Sequence, residues 1–335
     1  MNKSALFFCC VAAFYSCAED VRVGIIGLDT SHATAFTKLL NATNRPSAYA
    51  GFRVNVIVPQ GSRDIVSSTN RVPKYLEEVK PFGPEIVNSI DTLVQKCDVV
   101  LLESNDGRVH LEQALPVFKA GKRLFIDKPI AASLVDCLVL FQLSEYYKVP
   151  MFSASSLRYM GKAQAIRSGT YGPVSSASTY SPCTIEPTHP DLMWYGIHGV
   201  ELLFTLMGPG CQSVQRQVGP DCDVTTGTWA DGRIGTFSAK KTYAGEAMTR
   251  AGKIEVGKFE GYEGLLKEIL RFFKTGHPPV AAEETIAMFV FMEAAQQSKN
   301  QGGARIDCAG VLKAAREQAA RKFQSLIQVK TGEAR

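Results

Sequence analysis

Residues 123–129 read Arg-Leu-Phe-Ile-Asp-Lys-Pro, an apolar run that ends in an acid, a lysine and a proline. Leu124-Phe125-Ile126 has the character of a short buried strand. Pro129 has no N–H for a ladder, so the strand stops there and Lys128 is left at its carboxyl end. In open α/β sheets that edge is where ligands bind. A lysine so placed can hydrogen-bond a substrate hydroxyl or interact with a cofactor. The plainer alternative is a side chain that snorkels from a strand end into water.

On either side of this run the chain alternates between strand and helix patterns. Residues 21–26, 52–58 and 99–102 suit strands, the second closed by Pro59-Gln60-Gly61-Ser62. Residues 31–40 and 109–120 suit helices, as does the stretch through Leu138-Val139-Leu140-Phe141. A short strand over 149–153 closes the series. Such alternation predicts a Rossmann-type, doubly wound parallel sheet. A domain boundary is expected near Ser155. From Gly172 the pattern changes to short strands at 174–180, 213–218, 223–229 and 233–240, as in an antiparallel sheet. Asp231-Gly232 forms the turn between the last two. One apolar helix, 192–207, interrupts them and ends at Gly208-Pro209-Gly210. Amphipathic helices are expected over 262–274, 282–299 and 312–327.

A chain of 335 residues has room for two domains with cores of their own. The net charge of +5 comes without a dense Lys/Arg cluster, so nothing suggests a nucleic-acid partner. At the N-terminus, Lys3, the apolar stretch 5–15 and Ser16-Cys17-Ala18 form a secretory-signal pattern, with cleavage after Ala18. The stretch falls short of the roughly 20 residues a membrane helix needs. A lipoprotein is the weaker alternative, because Phe14-Tyr15 before Ser16-Cys17 suits a lipid-attachment box poorly. The expectation is a signal peptide over 1–18, a first domain over 20–154 and a second over 155–335, in a chain exported to the periplasm or beyond. Six of the nine cysteines follow the signal. Cys97, Cys137, Cys183, Cys211, Cys222 and Cys308 show no metal-ligand spacing, and no metal is expected. Cys211 and Cys222 lie nearest in sequence if any pair oxidises. No HExxH, GxSxG or phosphate-cradling P-loop is present.

Several motifs recur in a fixed order. They are Gly27 after the first strand, Asn105 and His110 after another, and Ala120-Gly121-Lys122 leading into Asp127-Lys128-Pro129. Arg158-Tyr159, Tyr195-Gly196-Ile197-His198 and the tail segment Phe272-Phe273-Lys274-Thr275-Gly276-His277-Pro278-Pro279 follow. In that order and spacing the chain resembles the glucose-fructose oxidoreductase / inositol dehydrogenase / MocA family. The resemblance implies a dinucleotide-binding domain followed by an α+β domain with an open, mostly antiparallel sheet. It also implies nicotinamide-dependent chemistry at a sugar or cyclitol carbon.

The resemblance directs attention to particular residues, each with a plainer alternative. A nicotinamide-binding turn wants glycine at positions 27, 29 and 32, but this chain has Gly27, Asp29 and His32, with Thr30 and Ser31 between. Asp29 would point a carboxylate at the pyrophosphate, or cap the following helix through the same amides. Gly27, Thr30, Ser31 and His32 are the expected cofactor contacts. After the second strand, Ser62 and Arg63 suit a 2′-phosphate, favouring NADP over NAD, unless Arg63 is simply a solvated loop residue. Asn105 matches a nicotinamide or ribose contact, whereas Glu103-Ser104 departs from the family's threonine-proline; His110 is expected to be structural. His198 matches the family's active-site histidine, with Glu201 at the acidic position after it and Trp194 where an aspartate is usual. A neutral imidazole there can take a hydroxyl proton as hydride leaves. Trp194 could stack on a sugar face. Lys128, Arg158, Tyr195 and His198 are the expected substrate contacts, and Lys128 and His198 the catalytic pair.

Two function classes follow. One is an NAD(P)-dependent oxidoreductase acting on a CH–OH group of a sugar or cyclitol, most simply as a homo-oligomer. The other is an exported, catalytically degenerate relative that binds carbohydrate without redox turnover.

Overall fold

In the computed structural model, which describes residues 19–219 and 223–332, the chain builds two sheets in succession. The expected signal segment and Cys222 lie outside the described residues. The first part runs β1 (Val21–Ile26), α1 (Ser31–Asn41), β2 (Phe52–Val58), α2 (Val66–Val79), β3 (Glu85–Ile86) and α3 (Ile90–Lys96). It continues through β4 (Val99–Leu102), α4 (His110–Lys119), β5 (Arg123–Ile126), α5 (Leu134–Tyr147) and β6 (Met151–Ser153). The strands lie in the order β3-β2-β1-β4-β5-β6, every pair parallel. The order reverses between β1 and β4, so the loops after these strands part and leave a crevice at the carboxyl edge.

The second part runs α6 (Gly161–Arg167), β7 (Val174–Ser181), α7 (Ile197–Met207), β8 (Cys211–Val218), β9 (Asp223–Trp229) and β10 (Ile234–Ala239). Then come β11 (Ala244–Thr249), β12 (Gly252–Glu255), α8 (Glu263–Thr275), α9 (Ala282–Asn300), β13 (Ile306–Asp307) and α10 (Cys308–Gly332). Its seven strands lie in the order β12-β11-β7-β10-β9-β8-β13. Only β7 and β10 pair in parallel; the other neighbours are antiparallel.

The apolar residues sort into two cores. On one face of the parallel sheet, Val23, Ile25, Leu101, Phe125 and Phe152 meet Phe36 and Leu40 of α1 together with Leu266, Ile269, Phe272 and Phe273 of α8. A helix from far along the chain therefore closes a face of the first sheet. The other face, through Ile26, Leu102 and Ile126, packs on α3, α4 and α5 and is continuous with the core under the second sheet. Helix α10 crosses back onto α5, where Lys322 pairs with Asp136 at 2.5 Å.

One sequence expectation changes. The helix expected over 192–207 is broken: Asp191–Met193 forms a 3-10 turn, and α7 begins at Ile197 after Gly196. The break turns Tyr195 out of the helical register. Cys211 shares a hydrogen bond with Cys308, and Cys222, its nearest cysteine in sequence, lies outside the described residues. Among the described residues no helix is long and apolar enough to cross a membrane.

Candidate active site

Three loops at the carboxyl edge of the parallel sheet form the floor of a cleft. Gly27 follows β1 with φ +90°, a conformation that favours glycine. A Cβ there would lie 2.4 Å from the Ser104 nitrogen, so the glycine lets the loops after β1 and β4 touch. The ladders of the sheet extend into those loops: the Glu103 N–H donates to the Ile26 carbonyl at 2.6 Å and the Asp127 N–H to the Leu102 carbonyl at 2.8 Å. Glu103 and Asp127 are thus fixed, fully buried, at the ends of β4 and β5. His32, in the first turn of α1, reaches across to both. Its Nδ1 lies 3.0 Å from Asp127 Oδ1 and 3.9 Å from Glu103 Oε2. Burial and the charge of Asp127 push the Glu103 carboxyl well above its ordinary range. Burial also pushes Asp127 up, but His32, Lys128 and the Lys128 N–H outweigh it and hold Asp127 at about 2.

Above this floor the cleft spans about 660 Å³ out to its open mouth. It is lined by Thr30, Ser31, His32, Asn105, Lys128, Tyr195 and His198 among others. Lys128 is buried in the wall, its ammonium 5.8 Å from the Tyr195 ring centroid. His198, in the first turn of α7, has Nδ1 2.8 Å from Ser155 Oγ. Burial and then the charge of Lys128 lower the His198 imidazole well below the ordinary histidine range, so it is neutral at neutral pH. A ladder of rings completes the wall. Tyr195 and Tyr243 flank His198 at 5.2 and 5.5 Å, Phe259 lies between Tyr243 and Tyr262, and Tyr262 meets the His32 ring at 4.5 Å. Phe259 is 40% exposed at the mouth. Such a wall suits the C–H face of a ring-shaped polyol.

The other end of the cleft is the start of α1. Thr30 is the N-cap: its hydroxyl accepts from the Ala33 N–H and lies 3.3 Å from Glu103 Oε2. Among the described residues the Ser31 and His32 N–H groups have no partner, and Arg71 and Tyr75 of α2 face them across the cleft. Two free amides at a helix start beside a guanidinium suit a pyrophosphate, and Gly27 supplies the tight turn. The residues at this end therefore fit a dinucleotide.

Asp29 neither caps α1 nor points at that space. It is fully buried, accepting from the Asn105 N–H at 2.9 Å and from the Ser68 hydroxyl at 2.6 Å, and so ties the loop after β1 to α2 and to the loop after β4. The reason is geometric: a short carboxylate beside two inward donors is better satisfied inside than at the helix start. The 2′-phosphate expectation also changes. Ser62 is buried with its hydroxyl donated to Asp106, which also takes Arg108 and sits 3.1 Å from His189 Nε2. Arg63 is exposed and outside the cleft lining. The cation at this end is Arg71.

Arg158 is not a cleft residue. It is buried behind Ser155, with Nε 2.7 Å from Glu201 and Nη1 2.7 Å from Glu284. Glu201 also accepts the Ser155 N–H at 2.8 Å, so Arg158 acts on His198 only through Glu201 and Ser155. Trp194 packs on His189 at 4.7 Å, away from the cleft lining, because the break before α7 turns it inward. His110 is fully buried between the carbonyls of Ser104 and Ile130, a structural role as expected. Sequence reasoning missed Arg71 and Tyr75, for want of any assignment over α2, and Tyr243, Phe259 and Tyr262, which come from the second part of the chain. It also missed that His32, Glu103 and Asp127 meet. Their only sequence signal was that His32 and Glu103 each replace a residue usual in the family.

A parallel sheet of this order, with a crevice at the carboxyl edge where the order reverses, is a Rossmann-type fold. Residues 21–154 match the family model described as oxidoreductase family, NAD-binding Rossmann fold (GFO_IDH_MocA). Among solved structures, a probable dehydrogenase from Thermotoga maritima is similar at 18% identity, with 87% of this chain and 100% of that chain covered and a TM-score of 0.68. The myo-inositol dehydrogenase of Lactobacillus casei, in complex with NAD(H) and myo-inositol, is similar at 16% identity over 86% of this chain and 96% of that one, TM-score 0.67. The scyllo-inositol dehydrogenase of the same organism, with bound NAD(H) and scyllo-inositol, is similar at 14% identity over 87% and 100%, TM-score 0.64. These likenesses extend the shared fold through the second sheet. No curated protein matches the chain.

Proposed function

We propose that this chain is an NAD(P)-dependent dehydrogenase of a polyol or cyclitol CH–OH group. The observation that carries the proposal is convergence: Lys128 and His198 line the same cleft as the free amides of α1. When bound, the nicotinamide supplies the hydride acceptor. The chain's own residues do the rest. Lys128 donates a hydrogen bond to the reacting hydroxyl and favours its oxygen as negative charge develops. His198, kept neutral, takes the hydroxyl proton; with its own proton on Nδ1 toward Ser155, Nε2 is the accepting atom. Arg158 and Glu201 position Ser155 and hence the imidazole. The ring wall excludes water and stacks on the substrate's apolar face.

The second class, polyol binding without redox turnover, is favoured by one observation, the two buried carboxylates Glu103 and Asp127 under the cleft. Titration of the mature protein with NADH and NADPH, followed by cofactor fluorescence, separates the classes. Saturable binding is expected, weakened several-fold by Arg71→Ala and unaffected by Arg63→Ala. Polyol binding with no dinucleotide binding would leave only the second class.

Two further features belong to the proposal. The signal pattern supports export with residues 1–18 removed, and N-terminal sequencing of envelope material that starts at Met1 would refute it. The face of the second sheet that carries Ser178, Thr226, Thr228 and Thr236 is only half-buried, which supports association of copies through it. Light scattering that returns the mass of a single chain would exclude that association.

A further inference from the structure

The His32, Glu103 and Asp127 side chains form a cluster that hydride transfer does not use. Each offers one ligand atom, and the three atoms lie within 4.8 Å of one another. The three residues are at most 3% exposed. Among the described residues no lysine or arginine forms an ion pair with Glu103 or Asp127. Glu103 Oε1 and Asp127 Oδ2 are moreover buried without any hydrogen-bond partner. Lys128 is the one cation whose charge acts on both carboxylates, so two desolvated carboxylates with an unsatisfied oxygen apiece, sharing one imidazole, leave room for a second.

We propose that this cluster binds a divalent transition-metal cation at the floor of the cleft. The geometry is close to what one needs. Zinc–nitrogen and zinc–oxygen bonds are about 2.0–2.2 Å, which places neighbouring ligand atoms about 3.0–3.5 Å apart. The 3.0 Å between His32 Nδ1 and Asp127 Oδ1, a hydrogen bond in the free chain that the ion would replace, and the 3.9 Å to Glu103 Oε2 bracket that spacing. One imidazole with two carboxylates suits zinc, manganese or ferrous iron better than calcium, which takes six to eight oxygens. The ligands stand on rigid supports, the ends of β4 and β5 and the first turn of α1. Thr30 Oγ1, 3.3 Å from Glu103 Oε2, orients that carboxylate from outside the cluster. His32 and Asp127 also line the cleft, so the remaining coordination positions face it beside Lys128. A water, or one or two hydroxyl oxygens of a polyol, would complete the shell. This inference concerns binding by the free chain and does not depend on redox turnover.

The test uses the full mature protein, stripped with chelator and titrated with Mn²⁺ and with Zn²⁺ in the absence of dinucleotide. Calorimetry is expected to give one ion per chain, with Glu103→Gln weakening binding about tenfold or more. A second measurement needs no variant. Mn²⁺ should broaden the His32 imidazole resonance at substoichiometric ion, before that of the exposed His277. Binding unchanged in Glu103→Gln, or His277 broadened first, would place the ion elsewhere. No binding in the wild-type protein would mean that Glu103 is held as a neutral acid and the cluster is satisfied by a proton. Either result overturns the proposal, and neither bears on whether NADH binds.

Discussion

Replacing Arg158 with methionine is expected to cost about 3–5 kcal/mol of folding stability. The guanidinium is buried between Glu201 and Glu284, 2.7 Å from each. Methionine fills much of the volume but leaves the charges uneven. Glu284 keeps Arg167, whose Nη2 is 2.7 Å away. Glu201 keeps only the Ser155 N–H, and burial already pushes its carboxyl above the ordinary range. Most of the loss is therefore assigned to Glu201. Denaturant unfolding of the single variant, of Glu201→Gln and of the double variant closes the cycle. The double variant should recover a large part of the loss, because a neutral amide no longer needs the arginine. A loss below about 1 kcal/mol for Arg158→Met would show that the buried pairs do not form in solution.

The largest effect on turnover is expected at Lys128 and His198. Lys128→Met and His198→Asn should each lower kcat about 10²–10⁴-fold, the usual range for removing a proton-transfer or charge-stabilising group. Neither change should alter the fold, since both side chains end in the cleft. The pH dependence has a definite sign. Burial and Lys128 lower the folded-state value of His198, so the imidazole is still neutral where an ordinary histidine, near 6.5, is half protonated. The acid limb of kcat/KM should therefore fall below pH 6.5. Lys128→Met removes one of the two causes and must move the titration of His198 upward, which imidazole NMR reads directly without turnover. A downward or absent shift would mean that the ammonium does not face the imidazole. The same depressed value means His198 contributes stability that is present above about pH 6.5 and lost as the pH falls toward its folded-state value.

The parallel sheet was legible because its strands are short, mainly apolar and buried toward their carboxyl ends, so β1, β2 and β4 stand in the sequence with their observed ends. Residues 63–98 were not legible. Helix α2 is largely polar and carries Pro73 in its interior, and β3 is only two residues long. Strands β11 and β12 were missed for a related reason, being short, with alternate residues partly exposed, at the sheet's edge. The break before α7 was invisible because Leu192, Met193 and Ile197 are apolar on both sides of it, and periodicity cannot detect a kink in a uniformly apolar run. Lys128, His198, Tyr195 and Asn105, which line the cleft, could be singled out because each sits beside a recognisable strand end or motif. Arg158 was placed in the cleft because its partners, 43 and 126 residues away, cannot be inferred from its neighbours. The pairing of His32 with Glu103 and Asp127 is of the same kind.

The placement of α8 has a consequence for how the protein is born. The face of the first sheet that holds Phe125 and Phe152 is closed by residues between Leu265 and Val280. At about 5–20 residues per second, the ribosome needs about 6–25 s to proceed from residue 154 to residue 280. For those seconds the nascent parallel sheet has one face covered only by α1, α2 and the turns beside them. A holdase would meet the chain in that interval, with its phenylalanines uncovered. Fragments that stop at residue 154 should consequently appear in inclusion bodies, whereas fragments with residues 263–280 supplied in trans should be partly rescued.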